Sequence, residues 1–213
     1  MRSHVYDTPA IPTVVDGIKM RSRLEARWAH FFTRIGWTWT YEPFDGHGYI
    51  PDFLIPGRHP LLVEVRPNAT WAEYQACVPK VVLGLEGLWD YRMLIVGCSP
   101  FTLGRSENFP EHTRAGLLLE DVDPAYAGGD NTMEYGVWAG DCYGEDGTKS
   151  GREGARCGVG VFHDYMSYAT SPCDHYSGGW APGDPGLSRL ARAWAGATNA
   201  VRWEAAHPSA PAP

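Results

Sequence analysis

Residues 49–66 read YIPDFLIPGRHPLLVEVR. Two short runs rich in aromatic and aliphatic residues, YIPDFLIP and PLLVEVR, flank the turn-forming segment PGRHP, which predicts two antiparallel strands. Two carboxylates interrupt those runs. Asp52 follows Pro51 in an aromatic and aliphatic stretch, and Glu64 lies inside LLVEV, where an ionised acid is unfavourable unless a site requires it. Because strand side chains repeat every two residues, Arg66 falls on the same face as Glu64. Two carboxylates and a cation are thus carried on adjacent strands, twelve residues apart, with a turn to bring them together. Hard divalent cations are bound beside phosphodiesters by such groups.

Outward from this pair, TWTYEPF reads as a preceding strand joined through the turn DGHG, so the three strands form an antiparallel meander. From Ser22 onward Leu24, Trp28, Phe31, Phe32 and Ile35 recur at helical spacing, and Gly36 is a stop signal. Ser22 and Glu25 have capping-box spacing, so Glu25 serves either its own helix start or a site. After the meander, WAEYQACVPKVVLGLEG has helical spacing but contains Pro79, which predicts a kink or a fresh start there. YRMLIVG then reads as a buried strand. The predicted fold class is α/β: a helix, a three-stranded meander, a helix and a strand over residues 20–100, with helices covering the sheet faces.

Residues 1–19 carry several breakers and no periodicity and are expected to be an extended lead-in. Residues 101–205 are expected to be a loop-rich, irregular extension with two short strands, GLLLED and YGVWAG, and a closing helix. That helix has Asp184 as N-cap, Pro185 at its first position, and Leu187, Leu190, Ala191, Trp194 and Ala197 on one face. Residues 206–213 are expected to be a disordered tail.

The 213 residues, 44% of them hydrophobic, suffice for one core of ordinary size. No apolar run approaches the ~20 residues that span a bilayer, and the first twenty residues have no secretion-signal pattern. The expectation is therefore a cytoplasmic protein without a membrane partner. The five cysteines, an odd number, fit thiols or a metal better than a disulfide framework. The net charge of -7 argues against generic binding to polyanions, but its distribution is uneven. Residues 101–150 hold three basic residues against ten acids, whereas residues 1–40 hold six against three, so nucleic acid is not excluded.

RSRLEARWAHFF, IPDFLI and LLVEVRP resemble, in order, the first-helix acidic motif, the Pro-Asp strand and the Glu-x-Lys strand of the PD-(D/E)XK nuclease superfamily. The likeness covers roughly residues 20–97 and extends to short phage-type members in which a zinc-ribbon-like segment and a last helix follow the core. It implies a restriction-endonuclease-like core and a Mg²⁺-dependent (or Mn²⁺-dependent) DNA endonuclease, encoded by a phage or mobile element and working in a bacterial cytoplasm. Asp52 and Glu64 would be metal ligands, with Glu25 a further ligand or a water-orienting acid. The family's lysine is Arg66 here, and the alternative is a catalytically weakened nuclease-like DNA-binding or assembly factor. Arginine stays protonated, so any base role at that position is lost.

Further candidates are weaker. Arg21, Arg23, Arg27 and Arg34 form either a solvated face or a contact to the DNA backbone. Gln75 and Lys80 on the second helix are ordinary helix residues or auxiliary groups projecting over the site. Cys142, Cys157, His163, Cys173 and His175 resemble a zinc ribbon that has lost one cysteine of each knuckle. The expectation for them is a metal-free remnant rather than bound Zn²⁺. The oligomeric state has no signature in the sequence.

Overall fold

The computed structural model of the chain describes residues 10–46, 48–56, 60–84, 91–104, 113–119, 136–141, 159–162, 168–170 and 186–202. Residues 10–19, expected to be extended, contain a hairpin: β1 (Thr13–Val15) pairs antiparallel with β2 (Ile18–Met20). The cause is the dipeptide Asp16-Gly17, both at positive φ (48° and 82°), the conformation of a two-residue turn that matches strand twist. Val15 and Met20 are buried against the first helix, which fixes the direction in which the chain enters it.

That helix, α1 (Arg23–Ile35), starts at Ser22, whose hydroxyl accepts from the Glu25 amide at 3.1 Å. It ends at Gly36, which has φ 89° and whose N–H returns to the last turn, a left-handed cap that favours glycine. Trp28, Phe31, Phe32 and Ile35 are all buried, as their spacing predicts. The buried Trp28 indole donates to the Gly97 carbonyl at 2.8 Å, tying the helix to the sheet.

The main sheet has eight strands among the described residues. β3 (Thr40–Tyr41), β4 (Phe53–Ile55) and β5 (Leu61–Val65) form the antiparallel meander. α2 (Trp71–Gly84) then crosses over, so that β6 (Arg92–Val96) lies parallel to β5. Pro79 lies inside α2, and no break is made there. Proline removes the bond to the Gln75 carbonyl, but both residues are exposed, so water can take its place.

The segment expected to be an irregular extension continues this same sheet. β7 (Thr113–Leu119) pairs antiparallel with β6, followed by β8 (Gly136–Asp141), β9 (Val159–Phe162) and β10 (Tyr168–Thr170). The closing helix, α3 (Gly186–Ala200), buries Leu190, Ala193 and Ala197. Ala191, expected on that face, is exposed instead, because 193 and 197 continue the stripe begun by 190. Trp194 meets the Trp28 ring at 4.9 Å and the Phe31 ring at 5.5 Å.

Two cores result, one on each side of the sheet. Leu61, Val63, Val65, Leu94 and Val96 join α1 and α3, while Leu62, Met93 and Ile95 join Tyr74, Val78, Val81 and Val82 of α2. Both faces of β5 and β6 are therefore covered, which is why LLVEV and RMLIV are nearly continuous apolar runs. Glu64 is the exception. Among the described residues, no helix is long and apolar enough to cross a membrane.

Candidate functional site

The register that sets Phe53 opposite Val63 and Leu54 opposite Leu62 brings Asp52, one residue before β4, opposite Glu64. Directly opposed residues share a face, so both acids lie on the α2 side. Asp52 and Glu64 are each 3% exposed. Asp52 Oδ2 accepts from the Val65 amide at 2.7 Å, and Glu64 Oε2 accepts from the Tyr49 hydroxyl at 2.8 Å. Tyr49 is presented by the turn before it, where Gly48 has φ 92° and its N–H donates to Asp45 at 2.6 Å. Arg66 closes the group, its guanidinium paired with Glu64 Oε1.

Burial, and next to it the charge of Glu64, push the Asp52 carboxyl up to about 7, against the Val65 amide and Arg21, which act to lower it. Each acid has its own guanidinium, Arg21 on Asp52 and Arg66 on Glu64, yet burial and the like charge beside it still favour the protonated form of Asp52. Burial and the neighbouring Glu64 likewise raise the Tyr49 phenol, keeping it a donor.

Glu25, 7% exposed, approaches from the other side, on the helix that packs against the opposite face. Its oxygens serve its own neighbourhood. Oε1 accepts from the Ser22 hydroxyl at 2.8 Å, and Oε2 from the Tyr41 hydroxyl at 2.6 Å and the Arg21 amide at 3.1 Å. The link between Glu25 and Asp52 is Arg21, whose guanidinium pairs with Asp52 Oδ1, with Glu42 at 3.0 Å and, more loosely, with Glu25 at 3.9 Å. Burial acts to lower the Arg21 pKa, but Asp52, Tyr41 and Glu25 outweigh it and hold the group above its ordinary value.

The other sequence candidates are scattered. Arg23 is half-buried at the helix start and Arg34 is exposed. Arg27 is half-buried, with its guanidinium 5.6 Å from the Trp194 ring centre. Gln75 and Lys80 are exposed on α2. Cys142, Cys157, His163, Cys173 and His175 lie outside the described residues. Tyr41, Glu42, Tyr49 and the inward role of Arg21 carry no sequence signal, since their partners lie up to 31 residues away.

The donor chemistry of the opposed pair suits a hard divalent ion: both groups are buried carboxylates that offer oxygen ligands. Among the described residues no group of three His, Cys, Asp or Glu side chains is placed to hold one together. Glu25 is separated from the pair by the Arg21 guanidinium, which occupies the space that joins them. No protein-family model, curated protein or solved structure matches the chain.

Proposed function

We propose that the chain is a Mg²⁺-dependent DNA endonuclease of PD-(D/E)XK type, hydrolysing phosphodiester bonds at Asp52 and Glu64. The observation that carries this reading is the buried like-charge pair at the end of the β4–β5 ladder, with Arg66 beside it. Opposed carboxylates destabilise a strand pair, and their burial adds to the cost, which the guanidinium groups of Arg21 and Arg66 offset and a bound divalent ion would offset further. When bound, Mg²⁺ or Mn²⁺ would supply polarisation of the phosphate and a lowered pKa for an attacking water.

The chain's own contribution is positioning and charge. The Val65 amide and the Tyr49 hydroxyl fix the two carboxylates in orientation. Arg66, half-buried and always protonated, supplies donors to the charge that develops on the phosphate and takes no part as a base. The second reading, a weakened nuclease that retains DNA binding, is favoured by one observation: Arg21 already neutralises Asp52.

Purified protein is expected to nick or cut DNA with Mg²⁺ or Mn²⁺ and to stop when EDTA is added. Asp52→Ala and Glu64→Ala are expected to lower the rate by about a thousandfold or more while circular dichroism shows a folded chain. Arg66→Ala should cost cleavage more than binding, with Arg66→Lys retaining activity, whereas Lys80→Ala should be mild because that residue is exposed. Cleavage that survives in Asp52→Ala would sink the reading. Retained DNA binding with no cleavage by the wild type would select the weakened nuclease.

A further inference from the structure

We propose that Arg21 is a resident counter-cation of the acidic site, occupying an Asp52 oxygen that a divalent ion would use and yielding it when the ion binds. This rests on the metal-site reading above and adds to it a built-in competitor. The geometry of Asp52 carries the inference. Oδ2 accepts from the Val65 amide and Oδ1 is held by the Arg21 guanidinium, so an ion that takes Oδ1 must displace the guanidinium.

The position of Arg21 is built rather than incidental. It stands between Met20, fully buried at the end of the hairpin, and Ser22, the N-cap of α1. Its own amide is held by Glu25 Oε2 at 3.1 Å and by the Tyr41 hydroxyl at 3.0 Å. The backbone is thus pinned on both sides, and the side chain emerges toward Asp52.

The side chain, by contrast, is free to leave. It is 55% exposed, so withdrawing it from Asp52 desolvates nothing and restores contact with water. A second acceptor waits for it: Glu42, 35% exposed, holds Nε at 3.0 Å through a bond that does not involve Asp52. Glu42 is itself tied to the site, its amide donating to the Asp52 carbonyl at 3.0 Å. With an ion on the Asp52–Glu64 side, Arg21 would keep Glu42 and surrender Asp52. The protein is thereby spared an unpaired buried carboxylate when no metal is present. The consequence is a metal affinity set below what the two carboxylates would otherwise provide.

Binding of Mn²⁺ to the full chain, followed by the loss of its free electron paramagnetic resonance signal, tests this without recourse to cleavage. Arg21→Gln, which removes the competing charge, is expected to bind Mn²⁺ about tenfold more tightly than wild type. Arg21→Lys keeps a charge at that place and is expected to stay within about threefold of wild type, while Arg21→Met, which also removes the charge, is expected to show the same gain as Arg21→Gln and serves if the glutamine variant fails to fold. In EDTA, Arg21→Gln should melt below wild type, and Mn²⁺ should raise its melting temperature by more than it raises that of wild type. Wild type that binds Mn²⁺ with no gain in Arg21→Gln would overturn the competitor and leave the metal site standing. Absence of Mn²⁺ binding in both proteins would remove the metal site, and the inference with it. Binding that persists in Arg21→Gln carrying Asp52→Asn would place the ion elsewhere and overturn the inference as well.

Discussion

β4 and β5 form one ladder with two unlike ends. At one end Ile55 pairs with Leu61, both 3% exposed or less and both part of the core under α1. At the other, three positions along, the same register opposes Asp52 and Glu64, buried to the same degree. Equal burial has opposite energetic signs at the two ends. Removing a leucine or isoleucine side chain from water contributes about 1.5–3 kcal/mol, whereas removing two like charges costs energy until partners or an ion offset it. The apolar end and the two helix-covered cores can sustain a local cost that the acidic end alone could not.

The contrast predicts that substitutions on the two ends act on different properties. Leu61→Ala is expected to lower stability by about 3 kcal/mol, measured by urea denaturation, since it opens a cavity under α1. A loss below about 1 kcal/mol would show that this end does not anchor the ladder.

A smaller effect is expected from pH in the absence of divalent ions. The folded Asp52 carboxyl titrates at about 7, above its ordinary 3.8, so the native chain binds a proton that the unfolded chain has released. Stability should therefore fall as pH rises from about 4 to about 7 and level off above that. Asp52→Asn should remove that decline and match or exceed wild type at pH values above about 7. Chemical denaturation across a pH series in EDTA checks both, and a slope that survives in Asp52→Asn would move its origin to another group.

The smallest effect separates the site from the helix that borders it. Ser22→Ala is expected to cost about 1 kcal/mol in thermal melting, the ordinary loss of an N-cap. If DNA cleavage also falls with the fold intact, the cap is positioning Glu25 and Arg21 as well as starting α1.

Features governed by local periodicity were legible. Trp28, Phe31, Phe32 and Ile35 are spaced for one helical face and are buried on it, and the meander strands fall where the turn residues bound them. Two local misreadings have local causes. Asp16-Gly17 is a two-residue hairpin turn, a stronger signal than the breakers around it suggested. Pro79 does not start the helix afresh, because an exposed helix face lets water complete the bond that proline removes.

What the sequence by itself determined is the pairing of Asp52 with Glu64. A strand alternates with period two, so two runs joined by a turn and packed on an apolar face have little freedom in register, and an acid in each run is carried to a definable place. The partners of those acids were decided only by the tertiary structure. Arg21 reaches Asp52 across 31 residues because a hairpin, a helix cap and a sheet edge meet at one point. Glu25 lies near the same acids yet spends its oxygens on Ser22, Tyr41 and the Arg21 amide, because its helix packs on the opposite face. Periodicity assigns a side chain to a face of its own element. Which charges then share a buried space depends on how separate elements pack, and no spacing along the chain encodes that distance.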